Sequence, residues 1–575
     1  MISATAHVIQ NFISSVPLEL VVMVEIGIMI ILAAFFAFLV RLLKQPLIPA
    51  YIFTGILIGP LVLKLIENQH LILSLSEIGV AFLIFTAGLE IKFKKLKEVG
   101  GAASIGGTLQ VLFLFFIGFL IATGLGFLGK APVYIGLVVA FSSTMIVFKL
   151  LADKRELNSL HGRIIIGILL IQDIAAIIAL TVLSSDLSFM SISIALAKAF
   201  GFAIFAILLA KILNPIFRKA AKTPELLLLV AISLLFLFSI GAFIASLSLI
   251  IGAFFAGVAL ANSDYKTEIA GKITPLRDFF AVIFFVALGM QLQLISKQFV
   301  VLLLILIAVV MVVKPLIIMF LVRIFGYKKR TSFLTGNSLA QTSEFSLIIV
   351  TLGLSLGHIT QGLFSTLVLL TIITMSLTTY WINYEKKFLD WFSWPLDLLK
   401  NLGSKKENLE YSGKEGKKIV LFGCHRMGSL FLKEFEKRKN DLMVIDYNPE
   451  IIKSLMNKKI PCIYGDFMNA EVIEKAGLKQ AEIIISTIAD EEDNLYLIKK
   501  ARELNPDVLV FVVARRISEA LKLYESGADY VIIPQVIGGQ MGFHLIEKVK
   551  KDKKLIKEYR KNHKKYLDSI HKILY

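Results

Sequence analysis

The chain has 575 residues, 57% of them hydrophobic, and a mean hydropathy of +0.77. Soluble globular domains contain about 45–50% apolar residues, so this composition excludes a soluble protein and predicts a polytopic α-helical membrane protein. The formal net charge is +18, and the two cysteines, Cys424 and Cys462, are too few for a disulfide framework.

Apolar runs of about 20 residues, the length that crosses a bilayer, occur thirteen times along the chain. Residues 1–17 have no basic region at their start and lead directly into a full-length apolar run. We therefore expect a retained first helix rather than a cleaved signal peptide. The predicted spans are 18–43, 46–65, 71–91, 100–128, 131–151, 160–184, 188–213, 224–246, 248–262, 276–294, 298–325, 331–356 and 361–384.

Basic residues are concentrated in every second connection between these spans. Lysine and arginine favour the cytoplasmic side of a membrane, which predicts an outside N-terminus, an odd number of spans and a cytoplasmic C-terminal region. Much of the positive charge then reflects membrane topology rather than nucleic-acid binding. The basic connections contain Arg41 and Lys44; Lys92, Lys94, Lys95 and Lys97; Lys154, Arg155 and Arg163; Arg218, Lys219 and Lys222; Lys266, Lys272 and Arg277; and Lys328, Lys329 and Arg330.

The fifth and twelfth predicted spans are interrupted by polar residues. Ser142-Ser143-Thr144 lies in the fifth span, and Gly336-Asn337-Ser338 followed by Gln341-Thr342-Ser343-Glu344 lies in the twelfth. Interrupted helices at corresponding positions of two halves indicate a transporter's ion site. Helix packing through small residues is the alternative explanation for the hydroxyls.

A carboxylate stands near the middle of the sixth predicted span. It belongs to Asp173 and is preceded by the amide of Gln172. A charge at this depth is costly unless it faces a protein cavity, so such residues mark ion pathways or proton relays. Asp173 is therefore the predicted ion- and proton-binding residue.

Lys314, followed by Pro315, is the second charge predicted within the membrane. A buried lysine needs a partner or loses its proton, and Asp173 or Glu344 could be that partner. An ion pair between Lys314 and Asp173 that breaks when a cation arrives would couple cation entry to protonation. The alternative is a structural ion pair that holds the two halves together; we favour a role in the ion site.

After residue 384 the composition changes to that of a soluble domain. We predict a transmembrane domain at 1–388, a linker at 389–416, a Rossmann-like domain at 417–540 and a basic tail at 541–575. The lysine-rich tail is typical of a solvated helix face, with anionic lipid as a second partner. Short apolar runs that alternate with helical patterns predict a parallel, doubly wound α/β sheet. These strands are expected at 418–422, 442–446, 461–466, 482–486, 508–513 and 530–533.

The turn after the first of these strands has part of a dinucleotide-binding pattern. Its sequence is Gly423-Cys424-His425-Arg426-Met427-Gly428. Gly423 permits a tight turn and Gly428 permits close helix packing, whereas His425 stands where a further glycine is usual.

The next two predicted strands each end on an acidic residue, Asp446 and Asp466. Asp446 has the spacing expected of a ribose-binding acid, and a phosphate would meet the helix N-terminus beside Arg426. We predict a regulatory nucleotide, either NAD(H) or an adenine nucleotide such as AMP or ATP. A Rossmann scaffold without a ligand is the alternative.

Together these residues resemble the monovalent cation:proton antiporters of the glutathione-regulated potassium-efflux (Kef) type, and the second domain resembles the N-terminal module of regulators of potassium conductance. The resemblance covers nearly the whole chain. It implies inverted repeats with two crossing broken helices, a homodimer in a prokaryotic inner membrane, and an ancillary cytoplasmic subunit as a further partner. The matching stretches are Phe85–Glu90, Ser142–Thr144, Gln172–Ala176, Phe284–Met290 and Ser343–Phe345.

The resemblance also implies roles for individual residues. Asp173 would bind the cation and the proton, with Thr144, Ser143 and Gln172 as neighbours, and Lys314 and Glu344 would complete the candidate set. K⁺ is favoured from the resemblance, although these oxygen ligands suit Na⁺ as well. One titrating acid would give one proton per cation.

One stretch departs from the glutathione-gated members. The predicted loop at 264–272 has mixed charge where those members have an acidic cluster, so glutathione control is not expected.

The sequence lacks features expected of two other classes of protein, a potassium channel and a redox enzyme. A nucleotide-gated potassium channel should contain a Thr-Val-Gly-Tyr-Gly-like filter, which this sequence lacks. A redox enzyme should add catalytic residues to the glycine turn, and none accompanies it, so we expect a transporter and not an enzyme.

Overall fold

The computed structural model describes residues 18–574 except for 44, 67–68, 92–99, 155, 158, 186–187, 222, 262, 264, 328, 385–409, 412–416, 425, 436–437, 439, 466–469 and 552–554. The chain divides into two compact units, one formed almost entirely by residues up to Gly403 and the other by residues from Ser404 onward.

All the secondary structure in the described part of the first unit is helical. Its helices are α1 (Leu18–Leu42), α2 (Ile48–Ile58), α3 (Gln69–Glu90), α4 (Gly100–Gly124), α5 (Ala131–Ala140), α6 (Thr144–Asp153), α7 (Leu160–Leu183), α8 (Phe189–Ala220), α9 (Pro224–Ile244), α10 (Leu249–Ala261), α11 (Lys266–Met290), α12 (Lys297–Ala308), α13 (Lys314–Ile324), α14 (Lys329–Ser338), α15 (Glu344–Ser355) and α16 (Gln361–Asn383). A π-helical turn, Val309–Val313, joins α12 to α13.

Each of the thirteen predicted spans contains helix. Within the described residues, ten helical stretches are long and apolar enough to cross a membrane, and α2, α10 and α15 are shorter apolar helices. The prediction of a polytopic helical unit is confirmed. Residues 46–65 and 248–262 were predicted as full spans, but only 11 and 13 of their residues are helical, in α2 and α10.

The predicted loop at 264–272 is wrong, because α11 already begins at Lys266. Its charged residues indicated a loop, but Ile269 and Ile273 stand one helical turn apart and are both buried. A helix that buries one apolar face is stable even when its other face is charged.

Backbones approach closely where α11 crosses α2. A Cβ atom added to Gly289 would lie 2.1 Å from the carbonyl oxygen of Ile52, and one added to Gly55 would lie 2.0 Å from that of Val286. Small residues are what allow helices in a membrane to pack at this distance.

The second unit contains one seven-stranded sheet with the order β1-β4-β3-β2-β5-β6-β7. Strands β2 to β7 are parallel, and β1 pairs with β4 in the antiparallel direction. The strands are β1 (Glu410–Tyr411), β2 (Ile419–Phe422), β3 (Leu442–Asp446), β4 (Cys462–Tyr464), β5 (Ile483–Ser486), β6 (Leu509–Val513) and β7 (Tyr530–Ile532). Six of them confirm the predicted strands, whereas the two residues of β1 lie in the stretch predicted as a linker.

Helices connect and follow these strands. They are α17 (Arg426–Glu434), α18 (Pro449–Asn457), α19 (Ala470–Ala476), α20 (Glu491–Leu504), α21 (Ile517–Glu525), α22 (Pro534–Lys551) and α23 (Leu555–Leu574). Separate apolar clusters, one around Val420 and Ile484 and the other around Leu421 and Val444, form the core of the unit.

We predict that Gly289→Ala lowers the stability of the first unit by about 1–3 kcal/mol or more, because the added methyl group must push two helix backbones apart. Thermal unfolding in detergent measures the change. Gly271→Ala on the same helix is the matched control, since its Cβ atom would meet nothing within 4 Å. Equal unfolding midpoints for the two variants would contradict the close approach.

Candidate functional site

Two helices are broken in the middle of the first unit. Helices α5 and α6 are separated by residues 141–143, and α14 and α15 by residues 339–343. Ser143 and Ser343 cap the second halves, their hydroxyls accepting from the backbone N–H groups of Ile146 and Phe345. The predicted breaks at 142–144 and 341–344 are therefore confirmed.

The predicted break at Gly336-Asn337-Ser338 is wrong, because these residues form the last turn of α14. A Cβ atom on Gly336 would lie 2.6 Å from the carbonyl oxygen of Pro315. This glycine serves close packing of α14 on α13 rather than interruption of the helix.

The carbonyl groups at the end of α5 have no partner within their own helix, and side chains from three other helices provide the donors. Lys314 Nζ donates to the carbonyl oxygens of Val139 and Phe141, at 3.1 and 2.7 Å. Gln110 Nε2 donates to that of Ala140 at 2.9 Å, and Ser346 Oγ to that of Val138 at 3.3 Å. Each terminal carbonyl from 138 to 141 thus has a hydrogen bond.

The carbonyl groups at the second break also accept hydrogen bonds from side chains. Ser142 Oγ donates to the Leu339 carbonyl at 3.1 Å, and Thr378 Oγ1 on α16 donates to that of Ala340 at 2.9 Å. Lys314 Nζ donates to the Gln341 carbonyl at 2.8 Å. The two breaks are therefore linked through Lys314 and Ser142.

Lys314 is fully buried, and its three hydrogen bonds all go to backbone carbonyls. In the described part of the chain it forms no ion pair with Asp173 or Glu344, so the predicted ion pair is wrong. Helix C-termini carry partial negative charge, and three carbonyls match the three donors of an ammonium group. The following Pro315, which lacks an N–H donor, is the second residue after the π-helical turn.

Asp173 faces the first residue of α6. Its two carboxylate oxygens lie 3.0 and 3.2 Å from Thr144 Oγ1, which donates to them. Both residues are partly buried. The structure therefore brings together Asp173 and Thr144, two of the predicted site residues, at the N-terminus of a half-helix, where the helix dipole favours a negative charge.

Glu344 occupies the equivalent first position of α15. Its Oε1 accepts a long hydrogen bond, 3.4 Å, from the backbone N–H of Met145 on α6. Its Oε2 and both amide atoms of Gln341 are buried and have no hydrogen-bond partner among the described residues. A second carboxylate thus adjoins the N-terminus of α6, with one acceptor atom unused.

Gln172 is held by two hydrogen bonds. Its Oε1 accepts from the backbone N–H of Ser142 at 2.8 Å, and its Nε2 donates to Gln110 Oε1 at 2.6 Å. The sequence predicted Gln172 as a site neighbour but missed Gln110, a lone amide within the apolar run of α4. Only that polarity could have drawn attention to it.

A small pocket lies between α6, α14 and α16, with a cavity volume of about 10 Å³. Val147 and Leu151, on the face of α6 that begins with Thr144, line it together with Glu156 and His161. Glu156 lies 3.2 Å from His161. Burial raises the pKa of Glu156, but the hydrogen bond and charge of His161, with the charges of two basic neighbours, lower it overall. The lining of the pocket therefore carries the negative charge of Glu156 and the positive charge of Lys154 at neutral pH.

In the second unit, the strand order reverses between β2 and β5, the position where doubly wound sheets bind nucleotides. Gly423, directly after β2, has φ +81°, and a Cβ atom on Gly428 would lie 2.0 Å from the Gly423 carbonyl oxygen. Both positions require glycine. Met427 lies in the first turn of α17, whereas His425, Asp466 and the side chain of Arg426 lie outside what the structure describes.

Asp446 ends β3 beside this turn. Its Oδ2 accepts from the backbone N–H of Cys424, and its Oδ1 from that of Asn448, both at 2.7 Å. Burial, with the Asp446 charge, raises the pKa of Cys424 to about 12, so its thiol is protonated and inert at neutral pH. Asp446 fixes the shape of the turn in addition to any contact with a ligand.

Comparison with known proteins identifies relatives of both units. The sodium/hydrogen exchanger family, transmembrane, matches residues 28–383, and the TrkA-N domain matches residues 419–534. A protein of Escherichia coli (strain K12) that carries the name cation/proton antiporter YbaL is 28% identical over 529 residues, covering 88% of this chain and 93% of that protein. The glutathione-regulated potassium-efflux system protein KefC of Enterobacter sp. (strain 638) is 26% identical over 494 residues, covering 83% and 77%. The sodium proton antiporter MjNhaP1 of Methanocaldococcus jannaschii has a TM-score of 0.48 at 17% identity, covering 66% of this chain and 98% of that structure.

We predict that Lys314→Met destabilises the first unit, because carbonyls of Val139, Phe141 and Gln341 lose their donor. An unsatisfied buried polar group costs about 1–3 kcal/mol, so thermal unfolding in detergent should shift downward by several degrees. Lys198→Met is the control, since Lys198 is exposed and donates to a single carbonyl. An unchanged midpoint for Lys314→Met would contradict a role in satisfying the breaks.

Proposed function

The chain belongs to the sodium/hydrogen exchanger family, with a TrkA-N domain at its C-terminal side, and we propose that it exchanges K⁺ for protons, with Asp173 binding the cation and the proton in turn. The observation that carries this proposal is the contact of the Asp173 carboxylate with the Thr144 hydroxyl at the start of α6. It joins an intramembrane acid to a broken helix, the arrangement expected of a transporter's ion site.

The donor set suits an alkali cation. The Asp173 carboxylate and the Thr144 hydroxyl supply hard oxygen ligands. A cation arriving at Asp173 would take the lone pairs that now accept from Thr144, whose own oxygen could then turn to the ion. The potassium-efflux name of one relative favours K⁺, and Na⁺ is the alternative that the same ligands would accept.

Cation and proton would compete for one site. From one side of the membrane a cation displaces the proton of Asp173, and from the other side a proton displaces the cation. Either occupant neutralises the carboxylate, which lowers the cost of moving it, whereas an empty charged site is held back. Lys314 is engaged by carbonyls and does not neutralise Asp173. One proton per cation, and electroneutral exchange, follow from this arrangement.

The predicted membrane orientation places the ends of α6 relative to the two sides of the membrane. With the N-terminus outside, α6 ends at the cytoplasmic side, and the pocket beside Val147 and Leu151 would lie on the cytoplasmic side of Thr144. The protein would act as a homodimer in a prokaryotic inner membrane, with membrane lipid and an ancillary cytoplasmic subunit as further partners.

The second unit would regulate exchange by binding a nucleotide at the switch point of its sheet. NAD(H) and adenine nucleotides such as AMP or ATP are the candidate ligands, contacting Gly423, Gly428 and Asp446. A ligand that binds one arrangement of the protein more tightly than the other shifts the population toward it. No step of the exchange itself requires the nucleotide.

Asp173→Asn is expected to abolish exchange, because an amide carries no negative charge for a cation and takes up no proton near neutral pH. Proton flux in proteoliposomes under an imposed pH gradient, titrated with K⁺, Na⁺ and Li⁺, measures both activity and selectivity. Asp153→Asn, at the exposed end of α6, is the control. Cation-dependent proton movement that persists in Asp173→Asn would refute the assignment, and K⁺ movement without protons would favour a channel.

Asp446→Ala should remove the increase in unfolding temperature that NAD(H), AMP or ATP produces in the purified full-length protein. The substitution deletes the acid beside the glycine turn and the acceptor that orders Cys424. Asp441→Ala, just before the other end of β3, should leave the nucleotide shift intact. If the shift survives in Asp446→Ala, this carboxylate is not part of a nucleotide site.

A further inference from the structure

A chain of buried amide hydrogen bonds adjoins the contact between Asp173 and Thr144. It begins at the backbone N–H of Ser142, passes through Gln172 and Gln110, and ends at the carbonyl oxygen of Ala140, with bonds of 2.8, 2.6 and 2.9 Å. Gln110 and Gln172 are at most 1% exposed. Three elements are joined by it: α4, α7 and the break between α5 and α6.

The direction of this chain is fixed at both ends. A backbone N–H can only donate, so Gln172 must present its oxygen to Ser142 and its NH₂ group to Gln110. A backbone carbonyl can only accept, so Gln110 must present its oxygen to Gln172 and its NH₂ group to Ala140. Neither amide can flip without losing both of its bonds.

Gln110 occupies the position in the first repeat that Lys314 occupies in the second. Each lies on the helix before a broken helix, and each donates to a carbonyl of the break that follows, 30 residues later for Gln110 and 27 for Lys314. Lys314 donates to the carbonyls of Val139 and Phe141, and Gln110 donates to the carbonyl of Ala140 between them. The end of α5 is thus held from two sides, by a charged group and by a neutral one.

We propose that Gln110 is a positioning residue for cation binding, one that fixes the orientation of the break and of α7 so that the Thr144 hydroxyl and the Asp173 carboxylate meet. Gln172 adjoins Asp173 in sequence, and Ser142 is two residues before Thr144. The chain of amide hydrogen bonds therefore fixes the positions of Thr144 and Asp173 relative to each other. This inference rests on the proposed function. Gln110 itself touches Gln172 and Ala140, not the ion.

Gln110→Met keeps the length of the side chain and removes both hydrogen bonds. Residues that orient direct ligands change metal affinity by about 10–100-fold when they are replaced, so we expect the KM for K⁺ to rise about tenfold with kcat nearly unchanged. Leu114→Met, one turn further along α4 and fully buried, is the control for altered packing and should leave KM as in the wild type.

Gln110→Glu is the matched isosteric variant. Its carboxyl group can donate to the Ala140 carbonyl when protonated and cannot when ionised. Measured at a series of pH values against the wild type, the KM of this variant should approach the wild-type value at the acidic end and lie below that of Gln110→Met there. A residue that only fills space would give no such rescue.

A KM for Gln110→Met within about twofold of the wild type, or equal KM values for Gln110→Met and Gln110→Glu at every pH, would overturn the inference. If Gln110→Met does not fold, the test rests on Gln110→Glu: a KM that stays well above the wild-type value at every pH, the acidic end included, would overturn the inference. Exchange that persists in Asp173→Asn would refute the proposed function instead. The two failures are therefore distinguishable.

Discussion

The membrane unit depends on how the backbone groups at its two helix breaks are satisfied. Lipid offers no hydrogen bonds, so irregular backbone at this depth persists only where protein groups supply them. The carbonyls of residues 138–141 and 339–341 all receive donors from side chains of other elements. These bonds satisfy the two breaks, and the N-terminus of α6 adjoins the carboxylates of Asp173 and Glu344.

Charge is divided between the two ends of the half-helices. Lys314 donates to carbonyl groups at the end of α5 and in the break after α14, while the carboxylates of Asp173 and Glu344 lie at the N-terminus of α6. Each charged group thus stands at the helix end whose partial charge opposes its own. Because Lys314 is committed elsewhere, Asp173 keeps a carboxylate that a cation or a proton can occupy.

Much of the fold and of the candidate site could be predicted from the sequence. A charged or polar residue within an apolar run, and a short apolar run between polar ones, are both visible locally in the sequence. The breaks at 142–144 and 341–344 and six strands of the sheet were identified from short runs, and Asp173, singled out from its position in an apolar run, does contact one of the breaks. The partners of Lys314 could not be, because backbone carbonyls occur at every residue and carry no sequence signal. Gln110 was missed for a related reason, since its partner Gln172 is 62 residues away. The start of α11 was missed because the charged residues at 264–272 indicated a loop. The segment is helical because Ile269 and Ile273, one turn apart, are both buried.

The engagement of Lys314 by three carbonyls explains why this architecture suits exchange rather than conduction. In a potassium channel, rings of backbone carbonyls replace the water around each passing ion. Here a comparable cluster of carbonyl oxygens already holds a cation, and that cation is covalently attached to the chain. A tethered ammonium group cannot be displaced along a file of ions. In the proposed mechanism, permeant ions are therefore left with the Asp173 carboxylate, which they share with protons.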